Sequence, residues 1–285
     1  MSQPSSRPSL VYTANLWTLA GHPTPRREWS LAYKLRKIEE AGFDAVTAPA
    51  SAQLHQQIQR RNLRYMGFFS SSDKRDLAPL LEAQIAAGAE LTNVQLGDDF
   101  TPISEGTQLT LALMAHAERH GAYASVEVHR DTATETPEKT YAIADAYHQK
   151  TGKLMPITWD HSHFAVVKHL KPFLFEEVLL RRPELIQNAR ILHLRPFNGQ
   201  HAQVPVTNVR GQLTSEFREW LKFARALFQL WLAGPRPGNE LWVCPEIGPV
   251  GIHGYNLSTM PPAWQEAQRC RIEISKLWRD LNCRR

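Results

Sequence analysis

The chain has 285 residues, of which 42% are hydrophobic and 21% charged, and this composition excludes a wholly disordered protein. The net charge of +5 comes from 33 basic and 28 acidic residues. The basic residues are scattered, whereas a nucleic-acid-binding protein usually gathers them on one face. No stretch approaches the roughly 18 consecutive apolar residues of a membrane-spanning helix. We therefore expect a globular protein that does not act at a membrane and for which nucleic acid is a disfavoured partner.

The cysteine content and the first residues bear on the compartment. Cys244, Cys270 and Cys283 form neither a CxxC pair nor an even set, which a disulfide framework would need. The first ten residues lack the apolar core of a secretory signal, and residues 1–9 are expected to form a flexible tail. These features favour a reducing cytoplasm. The glycosylation sequon at Asn256 would then be without consequence.

Eight short apolar or β-branched runs recur along the chain, each followed by a longer amphipathic stretch. The predicted strands are Leu10–Trp17, Phe43–Ala48, Arg64–Phe69, Thr92–Leu96, Ala124–His129, Pro156–Asp160, Ile191–Arg195 and Leu241–Glu246. The eight units average about 36 residues, which fits a (β/α)8 barrel of typically about 250 residues with modest insertions.

The stretches between the predicted strands have helical periodicity. Leu31, Leu35 and Ile38 fall on one face of a helix that Gly42 ends, and a last helix is predicted from about Pro262. Strands that alternate with helices imply βαβ units with parallel pairing. The pattern therefore predicts an α/β protein, a single (β/α)8 TIM barrel that takes up residues 1–285 as one domain.

An open, doubly wound sheet is the alternative architecture for an alternating pattern. Such a sheet normally carries a glycine-rich phosphate-binding turn after its first strand, but residues 17–23 read WTLAGHP. The chain also has no GxxxxGK[ST], HExxH or GxSxG motif. Nucleotide-loop, zincin and serine-hydrolase functions therefore have no support in the sequence.

One ionisable side chain lies at the end of each of the last four predicted strands. These residues are Glu127, Asp160, His193 and Glu246, separated by 33, 33 and 53 residues. Functional side chains of a barrel come from the C-terminal ends of its strands, so the four are expected to converge. Three carboxylates packed together repel one another unless a cation neutralises them. The set predicts one divalent metal ion (Mn²⁺, Mg²⁺, Co²⁺ or Zn²⁺), among which these ligand types do not select.

Other interpretations of these polar residues remain open. Taken singly, each of the four is more often a solvated loop residue or a hydrogen-bonded partner than a ligand. His163 follows Asp160 by three residues and is expected to fold back over the site. Alternation points His161 the other way, towards a structural role. Asp98 and Asp99 are interpreted as a solvated turn or helix cap.

At these residues the sequence resembles the xylose-isomerase-like TIM-barrel superfamily, the sugar phosphate isomerase/epimerase group. The resemblance covers nearly the whole chain and rests on WSLAYKL at 29–35, EAGFD at 40–44, VEVHRDT at 126–132, DxxH at 160–163, HxR at 193–195 with QV at 203–204, and PExGP at 245–249. The Glu-Asp-His-Glu order corresponds to the metal ligands of that family. In its epimerases and isomerases the two glutamates also act as acid and base on opposite faces of a bound ketose. The resemblance thus implies catalytic roles for Glu127 and Glu246.

The resemblance also implies a substrate pocket. His163 and Arg195 match positions that hold substrate oxygens in relatives, and His129, Trp17 and Trp159 complete the predicted substrate-binding set, with the tryptophans as apolar walls. Residues 194–201, LRPFNGQH, depart from the usual form of the family. No phosphate-cradling glycine turn is evident, which favours an unphosphorylated sugar or polyol. The sequence leaves open whether the protein is a homo-oligomer.

Four functions follow from these observations. The first is a metal-dependent sugar or ketose isomerase or epimerase that removes a proton next to a carbonyl through a metal-stabilised enediolate. The second is a lyase that dehydrates a keto-polyol or keto-acid through the same enolate. The third is an apurinic-endonuclease-like repair enzyme, which would need further histidines where the chain has Phe69-Ser70 and Gln95-Leu96-Gly97. The fourth is a non-catalytic barrel, which would bind no metal.

Overall fold

The structure, a computed structural model, describes residues 7–249 and 259–283, so the sequon at Asn256 lies outside the described residues. Its strands are β1 Ser9–Asn15, β2 Ala45–Ala48, β3 Arg64–Ser71, β4 Leu91–Leu96, β5 Ala124–Glu127, β6 Ile157–Trp159, β7 Ile191–His193 and β8 Glu240–Cys244. Each strand pairs in parallel with the next, and β8 pairs with β1, so the sheet is a closed barrel. The predicted (β/α)8 architecture is confirmed.

Helices separate the strands along the chain. Within the described ranges they are α1 Leu31–Glu40, α2 Ala52–Ile58, α3 Leu77–Ala86, α4 Ile103–Arg119, α5 Pro137–Thr151, α6 His161–Val167, α7 Phe175–Leu179, α8 Pro183–Gln187, α9 Ser215–Ala233 and α10 Ala263–Cys283. Polar side chains cap several of their first turns: Ser30 accepts from the N–H of Tyr33, and Thr214 from that of Phe217. None of these helices combines the length and the apolar character that crossing a bilayer requires.

Several strands are shorter at their C-terminal ends than the sequence predicts. β6 stops at Trp159 because Asp160 leaves the strand to cap α6, where its carboxylate accepts the N–H of Ser162. Likewise β8 stops at Cys244, two residues before Glu246. At the other end, β1 begins at Ser9, the last residue of the predicted tail, and residues 1–6 are outside the described part of the chain.

The N-terminal end of the barrel is filled by packing and closed by an ion-pair group. Buried side chains from six strands form one cluster inside it: Val11, Ala45, Met66, Leu91, Ile191 and Trp242. Below them the guanidinium of Arg64 pairs with Glu90 and Glu240 and lies 4.5 Å from the centre of the Trp242 ring. This end of the barrel is therefore structural, which leaves the opposite, C-terminal end for function.

Candidate metal centre

The four predicted ligands come together at the C-terminal end of the barrel. Glu127 and His193 are the last residues of β5 and β7. Asp160 directly follows β6, and Glu246 lies two residues after the end of β8. Each offers one ligand atom, and these atoms all lie within 4.8 Å of one another. Glu127, Asp160, His193 and Glu246 are called the ligand cluster below. Its burial means that the three carboxylates need positive charge close by.

His193 lies between the two glutamates of the ligand cluster. Its Nδ1 atom is 3.0 Å from Oε1 of Glu127 and 3.1 Å from Oε2 of Glu246. Neither contact has hydrogen-bond geometry, and neither ring nitrogen has a hydrogen-bond partner among the residues described. Burial lowers the pKa of His193, but the carboxylates of Glu246 and Glu127 outweigh it and hold that pKa well above its ordinary value. Buried, crowded donor atoms of this kind fit one divalent cation, which would replace the proton.

Arg195 links the other two carboxylates of the ligand cluster. Its Nη2 atom lies 2.6 Å from Oδ2 of Asp160 and 2.7 Å from Oε2 of Glu246, and its side chain is 1% exposed. His163 approaches the same oxygen of Asp160 at 3.4 Å. Burial raises the pKa of Asp160, but the charge of Arg195 and the contact with His163 hold it well below its ordinary value. These contacts therefore favour the ionised form of the Asp160 carboxylate.

Three carboxamides orient the two glutamates, and their amino-acid pattern alone predicts no role for them. Asn93 and Gln95 donate to Oε2 of Glu127 at 2.7 and 3.0 Å, and Asn15 donates to Oε1 of Glu246 at 2.7 Å. In each glutamate the other oxygen faces His193. Such partners fix a ligand without neutralising its charge. The available signal was the polar, uncharged character of the ends of β1 and β4.

A cavity of about 680 Å³ opens at the ligand cluster, within the range of about 300–1,000 Å³ usual for small-molecule sites. Its walls are Asn15, Leu16, Trp17, Thr47, Ala48, Pro49, Phe68, Asn93, Gln95, His129, Arg130, Asp131, Thr132, His193, Arg195 and Glu246. The predicted substrate-binding residues Trp17, His129 and Arg195 are among them. Apolar walls and convergent polar groups are what a sugar or polyol requires.

Two predicted substrate-binding residues lie elsewhere. His163 is buried beneath the cavity wall, where its ring centre is 4.2 Å from that of His129. Trp159 is fully buried and stacks on His161 at 5.2 Å, so the prediction that it forms a cavity wall is wrong. The alternation of side chains along β6 explains this. The hydroxyl of Thr158 contacts that of Ser125 on β5, whereas the next residue, Trp159, points to the opposite face of the sheet and packs against α6.

No protein-family model and no curated protein matches the sequence. Solved structures do match. D-allulose 3-epimerase from Methylomonas sp. shares 14% identity at a TM-score of 0.61, covering 97% of this chain and 100% of its own. A xylose isomerase-like TIM barrel protein from Mycobacterium smegmatis in complex with magnesium shares 13% identity at a TM-score of 0.58, and the match covers 97% of this chain and 99% of its own. The probable 3-DHS dehydratase AsbF from Bacillus anthracis shares 12% identity at a TM-score of 0.56, and the match covers 93% of this chain and 98% of its own. At such identities the similarity shows the fold alone, a (β/α)8 barrel.

Proposed function

We propose that this protein is a divalent-metal-dependent isomerase or epimerase of an unphosphorylated sugar or ketose, acting in the cytoplasm. The observation that carries the proposal is the ligand cluster, whose donor atoms lie within 4.8 Å of one another beside a cavity of small-molecule size. The similar fold of an epimerase and of a protein in complex with magnesium supports it. Fold alone does not assign an activity, so the residues of the site carry the proposal.

The residues of the site have separate tasks. The ligand cluster would hold the cation, which when bound would supply a Lewis acid that stabilises an enediolate. Glu246, in the cavity wall, takes the proton from the carbon next to the substrate carbonyl. Burial raises the pKa of Glu246, but His193 and Arg195 outweigh it, so the carboxylate is ionised at neutral pH. Trp17 and Phe68 line the cavity and would shield the reacting carbon of a bound substrate from water. The role of Glu127 as a second acid or base stays a prediction.

A lyase is the second candidate. Dehydration of a keto-polyol or keto-acid begins with the same proton abstraction and then expels a β-hydroxyl group. The dehydratase among the proteins of similar fold favours this alternative. The two candidates differ in their products, because the lyase forms a carbon–carbon double bond and the isomerase does not. Product analysis by NMR therefore distinguishes them.

The test combines metal analysis with solvent exchange. The purified protein should contain about one equivalent of divalent metal, and it should exchange deuterium from heavy water into a panel of ketoses and keto-polyols. Glu246→Gln should reduce the exchange by about 10²-fold or more, the usual contribution of a general base. Glu105→Gln, at an exposed position, is the matched control and should have no effect. Full exchange by a metal-loaded Glu246→Gln protein would contradict the proposed mechanism.

A further inference from the structure

The two glutamates of the ligand cluster differ in their access to the cavity. The side chain of Glu246 is 11% exposed and forms part of the cavity wall. That of Glu127 is 1% exposed and is not a wall residue. Among the described residues, only His193 and Glu246 of the ligand cluster reach the cavity. A substrate in the cavity would therefore meet one of the two glutamates.

Two carboxamides separate Glu127 from the cavity. Asn93 and Gln95 are themselves wall residues, and both donate a hydrogen bond to Oε2 of Glu127. A carboxylate oxygen has two lone-pair sites, so these two donors saturate Oε2. Oε1 lies on the other side, 3.0 Å from His193 and within the ligand cluster. Glu127 thus has one oxygen facing the ion site and another occupied by amide donors.

Glu246 keeps an oxygen for the substrate. Its Oε2 atom contacts Arg195 and His193, at 2.7 and 3.1 Å. Its Oε1 atom accepts a hydrogen bond from Asn15 at 2.7 Å, which over the described ranges is one donor against the two on Oε2 of Glu127. Oε1 therefore keeps one lone-pair site without a donor among the described residues, in a side chain that lines the cavity. This oxygen can accept a proton without breaking the amide contact.

We infer that Glu246 alone of the two glutamates transfers the substrate proton, and that Glu127 is a metal-holding residue positioned by Asn93 and Gln95. The inference rests on the proposed function and deepens it. Glu246 accepts the proton from the carbon next to the carbonyl, the C–H electron pair forms the double bond of the enediolate, and the carbonyl π pair moves to oxygen. The protonated Glu246 then returns the proton to the same face of the enediolate.

Transfer by one group on one face excludes inversion at the carbon that loses its proton. When the proton returns to the former carbonyl carbon, and the hydroxyl proton passes between the two enediolate oxygens, a ketose becomes an aldose. Inversion at the carbon that lost its proton would need a donor on the opposite face, the task that the resemblance implies for Glu127. The geometry therefore favours aldose–ketose isomerisation over epimerisation by the two glutamates.

Solvent exchange in two variants tests the assignment. Wild-type, Glu127→Gln and Glu246→Gln proteins are incubated with D-fructose and D-xylulose in heavy water, at Mg²⁺ concentrations well above the dissociation constant that calorimetry gives for each. Glu246→Gln should lose exchange by about 10²-fold or more. Glu127→Gln should bind Mg²⁺ more weakly, and at a saturating ion concentration its loss of exchange should be at least tenfold smaller than that of Glu246→Gln. Glu105→Gln again serves as the exposed control.

Carboxyl labelling tests the same geometry without activity. The metal-free protein is treated with a water-soluble carbodiimide and glycine ethyl ester, and modified peptides are identified by mass spectrometry. Glu246 should be labelled at least tenfold faster than Glu127. Asn93→Ala removes one screening amide and should make Glu127 reactive, whereas Asn62→Ala, at an exposed position, should not.

The outcomes distinguish a failure of the inference from a failure of the proposed function. A loss of exchange in Glu127→Gln at saturating Mg²⁺ as large as that in Glu246→Gln, or labelling of Glu127 as fast as that of Glu246, overturns the inference and leaves the proposed function standing. Wild-type protein that binds none of Mg²⁺, Mn²⁺, Co²⁺ and Zn²⁺ and exchanges no deuterium refutes the proposed function, and with it the assignment of the proton to Glu246.

Discussion

The guanidinium of Arg195 offers a direct test of the electrostatics of the site. It lies between Asp160 and Glu246, at 2.6 and 2.7 Å, and is almost completely buried. Arg195→Leu keeps the packing volume roughly constant but leaves two buried carboxylates without this partner. Removing one member of a buried ion pair usually costs about 3–5 kcal/mol. We expect the free energy of unfolding of the metal-free protein to fall by about that amount.

The same substitution should have the opposite effect on metal binding. Without Arg195 the carboxylates of the ligand cluster present one more uncompensated negative charge to an incoming cation, so Mg²⁺ should bind more tightly. An ion present at about 1,000 times its dissociation constant stabilises the folded state by about 4.1 kcal/mol. Saturating Mg²⁺ should therefore restore most of the stability that Arg195→Leu removes.

Urea unfolding, followed by tryptophan fluorescence in EDTA and in Mg²⁺, measures both effects. Arg225→Leu is the matched control, since Arg225 forms a partly exposed pair with Asp280 and pairs near the surface contribute about 1 kcal/mol or less. Arg195→Lys keeps the charge without the planar fork and should lose less stability than Arg195→Leu. Equal unfolding midpoints for wild type and Arg195→Leu in EDTA, or weaker Mg²⁺ binding by the variant, would refute the reasoning.

Two further predictions concern the cavity wall and a buried imidazole. A Cβ on Gly248 would lie 2.3 Å from the ring of Trp17, so Gly248→Ala should displace this wall of the cavity. The substitution should raise KM more than it lowers kcat, and an unchanged KM would contradict the expectation. Burial lowers the pKa of His161 to about 4, so the unfolded chain binds more protons between that value and about 6.5. Stability in urea should therefore fall as the pH drops through this window, and His161→Phe should flatten the fall; parallel pH profiles would count against it.

The fold is readable from the sequence because its signals are local and repeated. Each strand is a short apolar run, and residues such as Leu35 and Ile38 give the following helix a single buried face. The ends of the strands are not readable in the same way. Whether Asp160 continues β6 or caps α6 depends on the competition between a strand hydrogen bond and a bond to the N–H of Ser162.

The metal centre could be predicted to the extent that barrel topology dictates it. Parallel strands place their C-terminal ends on one rim, so single ionisable residues there must converge. The role of Asn93 could not be predicted in this way, because the sequence of one strand does not show which side chain of the next strand its polar residues contact. Trp159 was misplaced although the alternation was available: if Asp160 faces the ion site, the residue before it must face the helices.

The balance of buried charge argues for a single divalent ion. The ligand cluster carries three negative charges, of which Arg195 neutralises one, and a divalent cation that displaces the proton of His193 neutralises the other two. A second divalent ion would leave two buried positive charges without partners. The walls agree, since Gln95 at the end of β4 donates to Glu127 and accepts from Ser70, where a multinuclear site would need metal-binding imidazoles. The charge balance and the residue types therefore both count against the apurinic-endonuclease alternative.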